Sequence, residues 1–305
     1  MVSTRNLGLR IVSLSYYLVV LLGAHFSIRK SLLHALQEAR ALGLEAVQMF
    51  AYRRHEFYFE PGLSRAIRKR LDEEINSWNS ALLASPVKEV VVHSRSVAAL
   101  AADNAQLRKR SFDRLKQELE LARMLRAAYY VFHLGPYGER MDLQTGLRLV
   151  QEGLSGILQD TPAQGPAIIL ENVPGGARRM GGTLEELASM VAALSPHGPR
   201  FGLCLDVAHC WGAGYSLKNA GEARKFFADF SKLVPSSKLA MIHWNNSSLP
   251  LGCHLDQHAH LAQGHVPPEV YRVILKEWPA KVGILETPKE PLGSDRVNVD
   301  FLRNL

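Results

Sequence analysis

Six short apolar runs in this 305-residue chain each end in a side chain of a type that commonly binds metal ions. The closing residues are three imidazoles and three carboxylates: His93, His133, Glu171, Asp206, His243 and Glu286. A short apolar run is typical of a buried strand, and parallel α/β proteins build their sites where such strands end. Two nearby segments add three further groups of the same kind, His209, Asp256 and His258. The pattern predicts a barrel that carries a cluster of metal ions at one rim.

Helical patterns alternate with the apolar runs along the whole chain. The strands are predicted at 17–22, 46–50, 90–93, 129–133, 167–171, 202–206, 239–243 and 282–286. The helices are predicted at 32–42, 66–83, 107–125, 147–158, 184–194, 223–233 and 270–275, with a short last one near Val299. Eight such pairs, with the widest loops after the strands, predict the α/β class and a single (β/α)8 TIM barrel, with the metal site at the C-terminal ends of the strands.

The N-terminal stretch 11–22 has two interpretations. It follows Arg5 and Arg10 and has the length of a signal-peptide core. We favour the first barrel strand, because the barrel needs an eighth strand and His25 closes this run as other ligand-type residues close theirs. The predicted division is therefore an N-terminal extension over 1–16 and a catalytic barrel over 17–305. The predicted location is cytoplasmic, with no membrane association, since no stretch is apolar enough to span a bilayer.

Composition limits the chemistry. Lys and Arg outnumber Asp and Glu by 36 to 29, which is compatible with an anionic partner such as nucleic acid. The three cysteines have no CxxC spacing, so a disulfide framework or a thiolate zinc site is not expected. Imidazole and carboxylate ligands suit zinc, manganese or iron(II). Five histidines and four carboxylates exceed the needs of one ion, and clustered divalent ions serve phosphoryl chemistry.

Seven motifs, in order from Gly23 to Thr287, resemble those of AP endonuclease family 2, the endonuclease IV type. They are GAHFS at 23–27, FHLG at 132–135, LEN at 170–172, CLDVAHCWGAGY at 204–215, HWNNS at 243–247, LDQH at 255–258 and LET at 285–287. The resemblance covers nearly the whole chain, and the spacing from Asp206 through His209 to Gly214-Tyr215 is by itself quite specific.

The resemblance implies a centre of three Zn²⁺ ions, with Mn²⁺ as an alternative metal. His93 and His133 match ligands of the first ion, and Glu171 matches the carboxylate that bridges it to the second. The second ion would use Asp206, His243 and Glu286, and the third His209, Asp256 and His258. Glu171 and Glu286 would be the catalytic carboxylates. The implied reaction is incision of damaged double-stranded DNA, 5′ to an abasic site, by a monomer acting in base excision repair, which leaves a 3′-hydroxyl and a 5′-deoxyribose phosphate.

The surrounding loops depart from the family pattern. The family usually has an arginine between the last aspartate and histidine ligands, where this chain has Gln257, and a glycine where it has Ala262. A DNA-penetrating tyrosine is often found after the third strand, whereas this chain reads Ser94-Arg95-Ser96. We expect Arg53, Arg54 and Arg95 to contact phosphates, Tyr52 or Phe57 to stack or wedge, and His25 to line the pocket.

Three alternatives remain open at this level. The same barrel superfamily includes sugar isomerases and epimerases with fewer metal ions, and a non-catalytic DNA-binding relative is also conceivable. Metal content separates these classes: about three ions for the nuclease, fewer for the isomerase and none for the binder. A one-register error in the alignment of the Asp256 loop would replace a ligand assigned there with His254 or His260, which flank the loop.

Overall fold

The computed structural model describes residues 20–95, 98–278, 280–290 and 293–305. Its strands are β1 (Leu21–His25), β2 (Ala46–Phe50), β3 (Glu89–His93), β4 (Tyr129–Phe132), β5 (Ala167–Glu171), β6 (Phe201–Asp206), β7 (Leu239–His243), β8 (Asn246–Ser247), β9 (His258–Ala259) and β10 (Val282–Leu285). Eight of them close a parallel barrel in the order β1-β10-β7-β6-β5-β4-β3-β2, and β8 pairs with β9 separately. The predicted TIM barrel is confirmed.

The helices lie between the strands. They are α1 (Leu32–Ala41), α2 (Arg65–Leu83), α3 (Ala105–Met124), α4 (Leu143–Asp160), α5 (Leu184–Leu194), α6 (Val207–Gly212), α7 (Ala220–Leu233), α8 (Pro268–Glu277) and α9 (Ser294–Arg303), with 3-10 turns at Ser195–Arg200 and Ser236–Lys238. Side-chain oxygens that accept backbone N–H groups fix most of the starts. These capping residues are Ser31, Ser64, Asn104, Asp142, Thr183, Asp206 and Asn219.

The interior of the barrel is a layer of small and branched apolar side chains. It contains Ala46, Val91, Val131, Ile169, Cys204, Met241, Val282 and Ile284. Gly23 faces the same space, where an added Cβ would lie 2.6 Å from the Ala46 carbonyl oxygen. Alternate residues of a strand face the same side, so the residue two positions after each member of this layer also points inward, nearer the C-terminal rim. The barrel thus carries a layer of functional side chains above an apolar floor.

The structure contains one helix that was not predicted, and part of the predicted N-terminus falls outside the described residues. Helix α6 occupies a segment for which no helix was predicted, because six residues are too few to show a helical period. The first strand begins at Leu21, and the predicted residues 17–19 and the 1–16 extension lie outside the described residues. In the part of the chain that the structure describes, no helix has both the length and the apolar character needed to cross a bilayer.

Candidate metal centre

The predicted metal positions meet at the C-terminal rim of the barrel. Eight of the nine form three groups whose ligand atoms lie within 4.8 Å of one another. The groups are His93, His133 and Glu171; Asp206, His209 and His258; and Glu171, Asp206, His243 and Glu286. Asp256, the ninth, has its Oδ1 atom 3.2 Å from an imidazole nitrogen of both His209 and His258. Strand ends distant in sequence are thereby brought into one cluster.

Glu171 lies at the centre of this cluster and has no exposed surface. Its Oε2 atom lies 3.0 Å from His93 Nε2 and 3.5 Å from His133 Nε2. Its Oε1 atom lies 2.9 Å from His243 Nδ1 and 3.4 Å from His209 Nδ1. Burial alone would raise the pKa of Glu171, but the imidazoles of His243 and His133 outweigh burial and hold that pKa well below its usual range. Each carboxylate oxygen faces a different pair of imidazoles, which is the disposition a bridging carboxylate needs.

A single amide holds two further residues of the group formed by Glu171, Asp206, His243 and Glu286, which we call the middle group. The Asn245 side chain donates from Nδ2 to Asp206 Oδ2 and accepts the backbone N–H of Glu286 at 2.9 Å. His243 Nδ1 lies 3.2 Å from Glu286 Oε2 and 3.9 Å from Asp206 Oδ2. Burial would raise the pKa of Glu286, but His243 brings it well below its usual range. Three carboxylates therefore converge on one imidazole nitrogen.

Helix α6 contributes His209 to the group of Asp206, His209 and His258. Asp206 caps this helix by accepting the backbone N–H of His209 at 2.8 Å, so both side chains lie beside the end of β6. The Nδ1 atom of His209 is 2.9 Å from the carbonyl oxygen of Asn172, and its Nε2 atom faces Asp256. His258 Nε2 lies 3.6 Å from Asp206 Oδ2. Burial would raise the pKa of Asp256, but the neighbouring imidazoles of His209 and His258 lower it to about 2.

The two histidines that flank the Asp256 loop make contacts elsewhere. His254 Nδ1 lies 2.8 Å from the carbonyl oxygen of Pro174, and His260 Nε2 lies 3.0 Å from that of Glu290. His254 adopts a φ of 57°, which turns the chain before Asp256 enters the cluster. The register of the sequence prediction, with Asp256 and His258 at the site, is the one the structure adopts.

The donor atoms fit divalent metal ions. Among the described residues, three buried imidazole nitrogens make no hydrogen bond of normal geometry, although buried polar atoms usually make one: His133 Nδ1, His209 Nε2 and His258 Nε2. The last two lie 3.2 Å from Asp256 Oδ1. Among the described residues, the ion-pair partners of the four clustered carboxylates are all histidines. Buried carboxylates without a compensating cation are strongly unfavourable. Metal ions between imidazoles and carboxylates would satisfy both sets of atoms, and nitrogen and oxygen donors of this kind suit divalent ions such as zinc, manganese or iron(II).

The cluster opens to solvent through a cleft of about 220 Å³. His25, Phe50 and Arg95 form part of its wall, together with ligand-type residues of the cluster. Burial lowers the pKa of His25, which opposes its protonation. A second cavity of about 230 Å³ shares His133, His209 and Asp256 with the cleft and otherwise has mainly apolar walls, including Met180. The centre thus borders two cavities, of which the second is the more apolar.

The predicted DNA-contacting residues have different surroundings. The side chain of Arg53 is 17% exposed. Its guanidinium pairs with Glu56 and Glu74, and its Nε donates to the carbonyl oxygen of Ile28 at 2.9 Å. Tyr52 donates its hydroxyl to Glu118 at 2.9 Å. Phe57 is buried, and its ring centroid is 4.8 Å from that of Tyr52. These three side chains therefore brace the loop that follows β2.

Arg54 and Arg95 are differently placed. Arg54 is exposed. Arg95 lies over the ring of Phe50 at 5.0 Å and donates from Nη1 to the Tyr52 carbonyl oxygen at 3.2 Å, which holds it at the wall of the cleft. A guanidinium stacked on an aromatic ring keeps edge N–H groups available for a phosphate.

Three orienting amides were not predicted: Gln48, Asn172 and Asn245. The side chain of Asn172 accepts the backbone N–H of Asp206 at 2.7 Å, and the backbone carbonyl oxygen of Asn172 lies 2.9 Å from His209 Nδ1. Two of the three amides follow a predicted ligand within two residues, in the motifs LEN and HWNNS. Gln48 interrupts the apolar run AVQMF, and a polar residue in a buried strand was the signal that could have identified it.

Comparison with known proteins agrees with the fold and the motifs. A family model described as a xylose isomerase-like TIM barrel, that of AP endonuclease family 2, matches residues 36–305. A probable endonuclease 4 of Chloroflexus aggregans is 29% identical over 289 residues, which cover 93% of this chain and 96% of the relative. The structure of endonuclease IV from Thermus thermophilus superposes with a TM-score of 0.75 at 30% identity, covering 93% of this chain and 99% of that one.

A D-psicose 3-epimerase from Clostridium cellulolyticum shares the fold, with a TM-score of 0.67 at 13% identity over 93% of this chain and 98% of that one. This likeness extends to architecture alone, whereas the family model and the endonuclease relatives match the sequence over most of its length. The chain therefore belongs to AP endonuclease family 2, within the xylose isomerase-like TIM barrels.

Proposed function

We propose that this protein is a zinc-dependent endonuclease of base excision repair that hydrolyses the phosphodiester bond 5′ to an abasic site in DNA, leaving a 3′-hydroxyl and a 5′-deoxyribose phosphate. The observation that carries the proposal is the clustering of nine imidazoles and carboxylates, with buried Glu171 at their centre. The similarity to relatives named probable endonuclease 4 supports the same reaction.

Three ions would be held by three sets of these residues. The first set is His93, His133 and Glu171, and the second is Asp206, His243 and Glu286 together with Glu171. The third set is His209, Asp256 and His258. Divalent ions in such a site activate water and neutralise charge on a phosphate. Glu171, with an oxygen toward each side, is the residue suited to link two ions, and zinc or manganese matches the donor set.

The protein would bind damaged double-stranded DNA at the same rim. Arg95 stands at the wall of the cleft and Arg54 is exposed on the loop after β2, so both could contact phosphates there. Tyr52 and Arg53, which brace that loop, would support it from below. The net charge of +7 favours association with a polyanion. One chain supplies all nine metal positions, so a monomer suffices for the reaction.

A sugar isomerase or epimerase is the second candidate, since barrels of this shape include the D-psicose 3-epimerase. Such an activity would need one or two ions. It leaves His209, Asp256 and His258 without a function, although all three converge on one point at the rim.

The test is incision of a 5′-labelled duplex that contains one tetrahydrofuran abasic analogue, by protein reconstituted with zinc. We expect a single product whose 3′-hydroxyl supports extension by a DNA polymerase, and no cleavage of the matched intact duplex. Metal analysis of the same sample is expected to give about three zinc ions per chain. Absence of incision by zinc-replete protein would reject the nuclease, and one ion per chain with epimerisation of a ketohexose would favour the alternative.

A further inference from the structure

Gln48 lies in the same layer as the candidate metal ligands. It follows Ala46 by two residues on β2, so it points into the barrel above the apolar floor, and it has no exposed surface. At the corresponding position, each of the seven remaining barrel strands ends in, or is directly followed by, an imidazole or a carboxylate. These residues are His25, His93, His133, Glu171, Asp206, His243 and Glu286. One amide stands in a ring of ionisable groups.

The amide contacts three of these groups. Its Nε2 donates to Glu286 Oε1 and lies 3.1 Å from His25 Nδ1, and its Oε1 lies 3.1 Å from His243 Nε2. A reversed amide would point its oxygen at the Glu286 carboxylate, where two acceptors would repel each other. The orientation of the Gln48 side chain is therefore fixed by its neighbours.

This orientation determines which nitrogen of His243 carries hydrogen. An amide oxygen only accepts hydrogen bonds, so His243 Nε2 must donate to it. In the neutral imidazole the lone pair is then on Nδ1, the atom that lies 2.9 Å from Glu171 Oε1 and 3.2 Å from Glu286 Oε2. A metal ligand needs that lone pair, and its orientation commonly depends on a hydrogen bond at the other ring nitrogen.

We propose that Gln48 is a positioning residue of the middle metal group: it holds His243 as the Nε2–H tautomer and fixes one oxygen of Glu286, so that His243 Nδ1 and Glu286 Oε2 face the same point. The role rests on the proposed metal centre and does not depend on which substrate the centre acts on. Gln48 itself donates no ligand.

The test compares Gln48→Met, which keeps the volume and removes both polar atoms, with Val47→Ala on the same strand. Val47 is buried in the layer between the barrel and the helices, so its truncation measures the stability cost of altering β2 without touching the centre. Zinc affinity is measured by chelator competition. We expect Gln48→Met to lower the affinity for one of the zinc ions by about 10- to 100-fold, the usual effect of removing such a partner. Val47→Ala is expected to leave all zinc affinities unchanged.

The second readout is spectroscopic. Long-range ¹H–¹⁵N spectra of the zinc-loaded protein are expected to show His243 with hydrogen on Nε2 and none on Nδ1 in the wild type, and a mixture with the opposite tautomer in Gln48→Met. Gln48→Leu also removes both polar atoms and is expected to show the same two effects, which covers the case in which the methionine variant folds poorly. Unchanged zinc affinity and an unchanged tautomer in Gln48→Met would overturn the proposal. If zinc binding weakens as expected but the wild type incises no abasic DNA, the positioning role stands and the nuclease fails.

Discussion

At the scale of the residue, Glu171 shows how burial and charge are reconciled at this centre. A carboxylate without exposed surface is ordinarily unfavourable, because burial penalises its charged form. Four imidazoles within 3.5 Å of its oxygens oppose that penalty and hold its pKa well below the usual range. The group stays ionised where metal ions would need it, and among the described carboxylates it is the one that pairs with both His93 and His243.

Glu171→Gln is therefore expected to abolish incision. The amide has nearly the same volume but cannot offer two anionic oxygens, and we expect kcat/KM to fall by more than about 10³-fold, since loss of a single preorganised donor already costs about 10²–10³. Initial rates on the abasic duplex measure the effect, and circular dichroism checks that the barrel is intact. Glu152→Gln, on the exposed face of α4, is the matched control. Incision at the wild-type rate by Glu171→Gln would show that the bridging assignment is wrong.

At the scale of the element, Glu74 joins three parts of the barrel wall. It lies on α2, accepts the first backbone N–H of α1 at Leu32 (2.8 Å) and pairs with Arg53 in the loop after β2. Its side chain is 16% exposed. Burial would raise the pKa of Glu74, but the hydrogen bonds from Arg53 and Leu32 outweigh burial and lower it. The loop after β2 is thus held to α2 by an ion pair.

Glu74→Gln is expected to reduce the free energy of unfolding at pH 7 by about 2 kcal/mol, the range for a lost hydrogen bond to a charged group. The folded-state pKa lies below the unfolded value, so this stabilisation is present above pH 4.5 and is lost as the pH falls through the folded pKa. Urea unfolding of the wild type and of Glu74→Gln at several pH values is expected to give free energies of unfolding that converge in acid.

The neighbouring residue provides the control for that experiment. Glu73 is 65% exposed and lies 3.8 Å from Lys69, a surface pair of the kind that contributes little. Glu73→Gln is expected to change the free energy of unfolding by less than about 0.5 kcal/mol. Equal destabilisation by both substitutions would mean that Glu74 has no special role in joining α1, α2 and the loop.

At the scale of the whole molecule, the candidate binding surface lies at one end of the barrel. Strand ends and their loops form the rim with the metal centre, and the helix C-termini lie at the opposite end. The excess of basic residues gives the molecule a net charge of +7, but only cations near the rim can act on a bound duplex. Arg54 and Arg95 are the predicted contacts that remain available at that rim.

Binding of the abasic duplex is accordingly expected to weaken steeply with salt. Each phosphate contact contributes about 0.9 to the slope of log affinity against log salt, so Arg54→Ala with Arg95→Ala should reduce that slope by about 1.8. Fluorescence anisotropy with Glu171→Gln protein, between about 50 and 200 mM salt, measures binding without incision. Lys276→Ala, in the last turn of α8 at the far end of the barrel, is expected to leave the slope unchanged. A slope that the arginine substitutions do not alter would exclude these phosphate contacts.

Much of this architecture was predictable because its signals are local. An apolar run such as Tyr129–Phe132, followed by His133, predicts both the strand and the end of it at which a polar side chain stands. Capping residues such as Ser31 mark where helices begin. Arg53 was not predictable in the same way, since a sequence shows its charge but not the distant Glu74 that binds it. Gln48 was missed because its partners lie at the ends of three other strands, and two of them, His243 and Glu286, are 195 and 238 residues further along the chain.

The sequence by itself determined the order of strands and helices, the barrel they form and the residues that end each strand, because each of these follows from neighbours within a few positions. Only the tertiary structure decided how those endings act together. Closure of β1 on β10 brings Glu286 into contact with His25 and Gln48, although most of the chain's length separates it from them. Hydrogen-bond direction, burial and charge at the centre depend on distances across the barrel, and no local pattern encodes those distances.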